Sequence, residues 1–549
     1  MKKKQIILLL LWVLALCTEA MAVPAKKGGI VVQDTDGRDI TVYLHGDEHF
    51  HWMTDETGRW LEKDSNGHYA VVTPLSSDSM RRLRAVSRHR LPAKASSLSV
   101  VAPPRGLVIL VSFADTAFQT SKTEIDSMLN GVHYTRSYSY SYLHQRVTVN
   151  SEGSARQYFA DQSAGQYVPV FDVVGPVTVS REMEYYGKKS MWGVNDANSY
   201  KMIEEACKLA DQQGADFSLY DNDNDGYVDF VYVIYAGFGE ADSGIENTIW
   251  PHSSWLTYYG RLTLGGKIID KFACSNELTY VSKQHDGIGS FCHEFSHILG
   301  LPDLYCTDDE GDWKTLGKWD IMDSGSYNND NNTPAGYSAY ERFFLGWTQP
   351  RVLRDAENVQ LQALNQSNEA LLVTATGKHN LKGDNPNPRT FFMIENRQQT
   401  GWDEYIPGHG MLITKIQYED YKWTSNTVNN TEDEMGVDLI EADGKAPKKN
   451  TIGTSYLGKR KDAFPAGADS YNTAPFNIYS VSDVTENDGI ISFRFKGGAE
   501  TGLAETGADE PIVAIYDILG RPAKSLSPAE LDRGIYIVRT RQRTYTLRK

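Results

Sequence analysis

The sequence predicts an α+β protein: a mixed, twisted sheet with helices, followed by a β-rich module, with small β units at the two ends. Three observations carry this. Short apolar runs rich in β-branched residues, "RGLVILVSFAD" at 105–115 and "FVYVIYAGFG" at 230–239, read as buried central strands. Helical patterns lie between and after them: "SYKMIEEACKLADQQG" spaces its apolar residues on one face and ends on Gly214, and the segment around Ile288–Leu299 has the same character. From about residue 351 the texture changes to alternating segments separated by Gly, Asn, Asp and Pro turns. A chain of 549 residues is too long for one ordinary core, and its 40% hydrophobic content supports packed domains rather than disorder.

Taken in order, residues 1–22 read "MKKKQIILLLLWVLALCTEAMA": three lysines, an apolar run and then Ala20-Met21-Ala22, the pattern of a cleaved signal peptide. The run Ile6–Leu16 is shorter than the roughly 20 residues needed to span a bilayer, so cleavage before Val23 is expected rather than a retained anchor. Residues 23–103 alternate "IVVQ", "ITVYL" and "HYAVV" with Asp-Gly and Asn-Gly turns, then become basic and serine-rich in "MRRLRAVSRHRLPAKASSLSVVAPP". That is a small β unit and an exposed linker of the kind proteases cut at a propeptide boundary. Residues 104–350 hold the predicted mixed sheet and helices. Residues 351–497 carry "ALLVTA", "TFFMIENR", "GMLITKI", "VDLIEA" and "GIISFRFKG", a β-rich module packed on the preceding region. "GGAETGLAETGADEP" makes 498–510 a linker of small residues, and 511–549 is a short β-patterned tail. No later run is long and apolar enough for a stable membrane span.

The net charge is -16, with 71 acidic against 55 basic residues and no basic stripe, which argues against a nucleic-acid partner. Acidic loops instead favour hard cations. "DNDNDGYVD" places Asp221, Asp223, Asp225 and Asp229 at the first, third, fifth and ninth loop positions, with Gly226 at the sharp turn. This predicts structural calcium (Ca2+), although Tyr232 stands where a glutamate closes the usual loop, so further ligands must come from elsewhere, with Glu240 and Asp242 as candidates. Cys207, Cys274, Cys292 and Cys306 remain after the expected cleavage; sequence does not choose among their pairings, and free buried thiols fit equally well.

The chemistry is concentrated in "FCHEFSHILGLPDLY" at 291–305. His293 and His297, four apart on a helix, project from one face and can reach a single ion. Glu294 is rotated by about 100°, which aims it at a metal-bound water rather than at the metal. Two imidazoles and a carboxylate base are the parts of a zinc hydrolase centre. Gly300 ends the helix where a left-handed residue is needed, Pro302 fixes the turn, and Asp303 arrives six residues beyond His297. Two candidates compete for third ligand: Asp303, and Glu341 in "SAYERFFLGW", which would complete a His-His-Glu site. Tyr327 is a candidate phenolic donor to a developing oxyanion.

The pattern His293-Glu294-x-x-His297-x-x-Gly300-x-x-Asp303 resembles the extended metzincin signature with aspartate in place of the third histidine. "HEFSHILGLPDLY" is similar to the immune inhibitor A family of secreted bacterial zinc metallopeptidases. "GSARQYFADQSAGQYVPVFDVVGPV", "WDIMDSGS", "FFMIENRQ" and "GVDLIEADG" resemble that family's landmarks over roughly residues 104–497. The resemblance implies a metzincin-like zinc protease core, with His293, His297 and Asp303 as ligands of one catalytic zinc (Zn2+), Glu294 as general base and Met322 as the methionine of the turn beneath the metal. It also implies protein or peptide substrates. Gly46-Asp47 in "LHGDEHFH" resembles an aspartate switch, making Asp47 a candidate for ligating the metal in a latent precursor. "IVAIYDILGRP" and "LDRGIYIVRTRQRTYTLRK" look like the β-sandwich sorting domain of the type IX secretion system, with Gly520 and Gly534 among the residues that carry the likeness. Export through the Sec machinery and then type IX secretion follows, giving a secreted or surface-attached protein. The alternative function, a non-catalytic surface binding or adhesion protein with a structural metal site, fits less well, because such a site needs no glutamate beside its metal.

Overall fold

The computed structural model describes residues 23–33, 36–63, 68–75, 103–190, 195–256, 260–307, 315–445, 457–472, 480–498, 512–517, 521–527, 530–532, 535–540 and 544–548. The expected signal peptide, most of the basic linker and most of the 498–510 linker lie outside them, as do Gly520 and Gly534. Contacts divide the chain into two units, residues 1–497 and 498–549.

The first unit opens with an antiparallel meander of five strands in sequential order, β1 (Gly29–Gln33), β2 (Asp39–Gly46), β3 (His51–Thr54), β4 (Trp60–Lys63) and β5 (Tyr69–Val71). Its inward side chains, Ile30, Val32, Val42, Leu44 and Leu61, share a core with Ala241, Trp250 and Tyr327 of the following region. The meander is therefore seated on that region rather than standing apart.

The central sheet contains β6 (Arg105–Ser112), β9 (Val170–Thr178), β11 (Val231–Phe238), β12 (His252–Trp255) and β15 (Lys271–Leu278), in the order β12-β15-β11-β6-β9. Four strands are parallel and β12 pairs antiparallel at the edge. The hairpin β7 (Thr135–Tyr142) and β8 (Gln145–Glu152), and a small sheet of β10 (Tyr227–Val228), β13 (Leu262–Leu264) and β14 (Lys267–Ile269), complete this region. Parallel strands covered on both faces need apolar residues in continuous runs, as β6 and β11 have. Val108, Leu110, Tyr232 and Ile234 face one core, while Leu107, Ile109, Val111, Val231, Val233 and Tyr235 face the other. Helices α1 (Lys122–Asn130) and α2 (Ala155–Gln162) lie on the first side, and α3 (Ser199–Gln212) covers the second with Met202, Ile203, Ala206, Cys207 and Ala210.

Helix α4 (Ile288–Ile298) is buried all round. Phe291 and Phe295 seat it on the sheet against Phe171, Phe230 and Tyr232. Its start is pressed onto another backbone: a Cβ on Gly289 would lie 2.0 Å from the Ser326 carbonyl oxygen, so only glycine fits. At its end Gly300 takes φ +101°, the left-handed turn predicted for the helix stop.

Residues 351–497 form two sheets. One is β16 (Arg351–Leu353), β18 (Leu371–Val373), β19 (Thr390–Arg397), β20 (Gly410–Gln417) and β21 (Val437–Leu439); the other joins β17 (Glu357–Leu361), β24 (Ile490–Phe495), β23 (Ser480–Asn487) and β22 (Tyr471–Asn472). The first contributes Leu372, Phe391, Met393, Ile416 and Val437 to the same core that holds α4, so the change of texture at residue 351 is not a break between cores. Among the described residues Cys207, Cys274 and Cys292 are buried free thiols, and no helix is long and apolar enough to cross a membrane.

The second unit, taken by itself, has β25 (Ile512–Asp517), β26 (Ile535–Thr540) and β27 (Thr544–Arg548) in one antiparallel sheet, with Ile515, Leu531 and Val538 buried.

Candidate metal centre

Helix α4 presents His293 and His297 side by side, and the turn at Gly300-Leu301-Pro302 brings Asp303 back to them. One ligand atom from each of the three lies within 4.8 Å of the others, and all three residues are buried. The two Nε2 atoms are 3.2 Å apart, and Asp303 Oδ1 stands 3.2 Å from His293 Nε2 and 3.4 Å from His297 Nε2. Each imidazole is fixed from behind: His293 Nδ1 is 2.7 Å from the Ile321 carbonyl oxygen and His297 Nδ1 is 2.8 Å from that of Leu301. A carbonyl can only accept, so both Nδ1 atoms carry a proton, and the Nε2 atom of each ring is the one that faces Asp303 and is offered to a metal.

Burial alone would lower His293, but the Asp303 carboxylate raises it to about 9. Burial would raise Asp303, yet His297 and His293 hold it below the usual carboxylate range. This pocket favours a positive charge among its three donors. Asp303 Oδ1 has no hydrogen-bond partner although it is buried, while Oδ2 accepts from Asn426 Nδ2 at 2.6 Å. Two nitrogens and one anionic oxygen, converging and oriented from behind, are a donor set that would suit a zinc ion.

Glu294 is fully buried, and burial pushes its carboxyl well above the usual range. Its Oε2 has no hydrogen-bond partner, and its Oε1 accepts from the Val23 backbone nitrogen at 2.8 Å. Val23, Pro24 and Ala25 form a buried segment running along the site. Trp250 Nε1 donates to the Val23 carbonyl at 2.8 Å, and the Tyr327 hydroxyl donates to the Pro24 carbonyl at 2.7 Å. Tyr327 thus serves a peptide carbonyl beside the site.

Met322 is fully buried in the turn whose neighbouring Ile321 carbonyl anchors His293. The Leu304 N–H donates to the Met322 carbonyl at 2.8 Å, tying this turn to the loop that carries Asp303. Glu341, the competing ligand, is placed away from the donor set. It is the third residue of α5 (Ala339–Phe344), where it closes a capping box with Ser338 by accepting from the Ser338 N–H at 2.6 Å. Asp47 is buried in the β2–β3 connection, and its Oδ1 accepts from the His49 and Phe50 N–H groups at 2.9 and 3.2 Å. The adjoining Glu48 is an electrostatic neighbour of both Asp303 and Glu294.

In the acidic loop, Asp221, Asp223 and Asp225 bring carboxylate oxygens within 4.8 Å of one another. Asp229 turns instead to Asn222, accepting from its N–H at 2.7 Å, and Lys267 Nζ lies 2.5 Å from Asp221 Oδ2. Glu240 and Asp242 are engaged elsewhere, with His51 and the Tyr280 N–H respectively, which removes them as ligands for this loop.

Sequence reasoning missed the supports. Asn426 grips Asp303 twice, accepting from its N–H at 2.7 Å as well as donating to its carboxylate, and Asn429 and Asn430 hold Leu304 and Thr307. "SNTVNN" carries a turn signal, but nothing in it points to a loop 123 residues away. Arg397, in the noted "FFMIENRQ", is buried and forms paired bonds to Asp403 while donating to the Trp319 and Gly336 carbonyls, which bracket the Met322 turn.

A buried His-His-Asp donor set with a carboxylate beside it, on a mixed α/β sheet, defines a candidate peptidase centre. Residues 93–349 match the family model described as the immune inhibitor A peptidase M6 catalytic domain. The chain is 30% identical over 217 residues to the pre-pro-metalloprotease PrtV of Vibrio cholerae serotype O1 (strain M66-2), covering 35% of this chain and 23% of that protein. It is 26% identical over 269 residues to immune inhibitor A of Bacillus thuringiensis subsp. alesti, covering 44% and 39%. These matches support the peptidase M6 family and a protease function, and they span less than half the length of those relatives.

Proposed function

We propose that the chain is a zinc-dependent endopeptidase made as a latent, exported precursor. The observation that carries this reading is the convergence of His293 Nε2, His297 Nε2 and Asp303 Oδ1, with Glu294 next in the helix. These three residues would hold the zinc, which would supply Lewis acidity to the scissile carbonyl and the attacking water. Glu294 takes the proton of that water and later delivers it to the leaving amine. The Val23 nitrogen, 2.8 Å from Glu294 Oε1, marks a place where such an amine nitrogen can stand. Ile321 and Leu301 hold the imidazole tautomers, and Met322 fills the floor of the turn that carries the Ile321 carbonyl. Tyr327 is assigned to peptide binding, on the strength of its bond to the Pro24 carbonyl, with oxyanion stabilisation as a further role.

The substrates are proteins or peptides, and the destination is the cell exterior or surface, reached by a cleaved signal peptide and a type IX sorting tail at 511–549. Latency is assigned to the N-terminal region, whose buried Val23 segment and Asp47-Glu48 loop adjoin the site. Asp47 remains the proposed switch residue; an Asp47→Ala precursor that stays fully latent would remove it. Calcium is assigned to Asp221, Asp223 and Asp225, with Asp229 joining on ion binding.

The test is casein hydrolysis by the processed protein. Activity is expected to vanish with a chelator, and to fall by about a thousandfold or more in Glu294→Ala with zinc retained. Activity unaffected by both sinks the mechanism. Zinc content is expected to drop in Asp303→Ala and to persist in Glu341→Ala; the reverse result would make Glu341 the ligand.

A further inference from the structure

The N-terminal segment ends its passage along the site in a nest of carboxylates. The Ala25 N–H donates to the Gly46 carbonyl and the Lys26 N–H to the Ala241 carbonyl at 2.9 Å each, so the backbone is held from both sides. Val23 and Ala25 are fully buried. Lys26 Nζ then reaches Asp330 Oδ1 at 3.0 Å, with the Tyr327 ring 5.8 Å away. Asp330 Oδ2 accepts from the Tyr138 hydroxyl at 2.9 Å. Asp242 and Asp286 also attract the ammonium. Burial would favour the neutral amine, but Asp330 and Asp242 outweigh it and keep Lys26 charged.

Two of these carboxylates are only half satisfied. Asp242 Oδ2 accepts from the Tyr280 N–H at 2.8 Å, and Asp286 Oδ1 from Asn331 Nδ2 and the Gly287 N–H at 2.8 Å each. Asp242 Oδ1 and Asp286 Oδ2 have no hydrogen-bond partner, although the residues are 4% and 5% exposed. Buried carboxylates without a countercharge are costly, so this nest is built around a cation.

The direction of the segment gives that cation a meaning. A peptide product leaves its new amine beside the general base and its chain running onward. Val23 presents its nitrogen to Glu294, its carbonyl to Trp250 and the next carbonyl to Tyr327, and the side chain of the fourth residue, Lys26, enters the nest. We infer that Asp330, Asp242 and Asp286 form a recognition subsite for a lysine or arginine of the peptide substrate, at the fourth residue on the amine side of the cleaved bond, and that Lys26 occupies it in the precursor. Removing residues 23–103 strips the nest of its cation, and a basic substrate restores it. The inference rests on the peptidase reading above and names part of its substrate preference.

The test uses the full chain, processed by limited proteolysis in the arginine-rich linker and freed of the N-terminal fragment. Three quenched fluorogenic peptides differ only in carrying Lys, Ala or Glu as the fourth residue after the cleaved bond. The expected kcat/KM is about tenfold or more higher for Lys than for Glu, because a like charge is driven into the nest in the latter. In Asp330→Asn that ratio is expected to shrink to about threefold or less. Equal cleavage of the Lys and Glu peptides overturns the subsite while leaving the peptidase intact; failure to cleave any peptide overturns the peptidase reading itself. A second measurement needs no variant. The amidated peptide Val-Pro-Ala-Lys is expected to inhibit the unsubstituted enzyme about tenfold more strongly than Val-Pro-Ala-Glu, and equal inhibition overturns the subsite.

Discussion

At the scale of residues, the proposed donor set depends on groups outside it. In the proposed site Asp303 can serve as a ligand only if one oxygen is free and the other is tied down, and Asn426 does the tying with a 2.6 Å bond to Oδ2 and a second bond from the Asp303 N–H. Replacing Asn426 with alanine leaves a buried carboxylate oxygen without a donor and frees the carboxyl to rotate. The expected result is a zinc affinity weaker by about ten- to a hundredfold with the fold retained, read by competition with a chromophoric chelator. Unchanged affinity would mean that the Gly300-Pro302 turn alone orients Asp303. His293, Glu294, His297 and Asp303 were legible in the sequence because their relation is local: one helical turn, then one glycine and one proline. Asn426 was not, because its partner lies 123 residues away and an asparagine in an asparagine-rich stretch has no distinctive pattern. The contact between Val23 and Glu294 spans 271 residues and is likewise invisible to periodicity. Glu341 was ambiguous for the opposite reason. The same residue that could be a ligand three positions into a helix is also the residue a capping box needs, and the structure uses it as the cap.

At the scale of elements, the central strands were readable because burial on both faces forces a continuous apolar run, and α3 because burial on one face imposes a helical period. Edge strand β12 was not foreseen, since "HSSW" has neither signal. It carries a buried histidine: His252 Nδ1 lies 2.7 Å from the Trp250 carbonyl oxygen and Nε2 is 3.2 Å from the Ser199 hydroxyl. Burial pushes His252 down to about 4, against its ordinary value of 6.5. The unfolded chain therefore takes up this proton first as the pH falls, and the folded state must resist it. The neutral ring's contribution is fully present above pH 6.5 and is lost as pH falls through about 4, an effect on the order of 3 kcal/mol for a fully buried group. Urea midpoints measured from pH 7 to pH 4 are expected to fall for the natural protein and to fall less steeply in His252→Gln, whatever the variant's stability at pH 7. Parallel slopes would place the acid sensitivity elsewhere.

At the scale of the whole molecule, the change of texture near residue 351 coincides with a change from a sheet of mostly parallel strands to sheets of mostly antiparallel ones, in which β16 and β18 still pair parallel. The sequence reads as a β-rich module packed on the preceding region, and side chains of the two regions share one core. Local patterns reveal which residues will be buried but not which other elements will bury them. Leu372, Phe391, Met393, Ile416, Trp423 and Val437 belong to the core that encloses Phe291, Phe295 and Met322. Arg397 reaches from β19 to the carbonyls on either side of the Met322 turn, and Asn426 completes the setting of Asp303. A fragment ending at residue 350 therefore lacks both the wall of its core and the residues that orient the proposed metal ligands. Exposing several large apolar side chains at roughly 1.5–3 kcal/mol each exceeds the net stability of an ordinary domain. The fragment 23–350 is expected to be insoluble or to bind a hydrophobic dye without a cooperative thermal transition, whereas 23–497 is expected to unfold in a single transition that zinc shifts upward. A soluble 23–350 fragment with its own sharp transition and full zinc affinity would show instead that the catalytic region closes its core unaided.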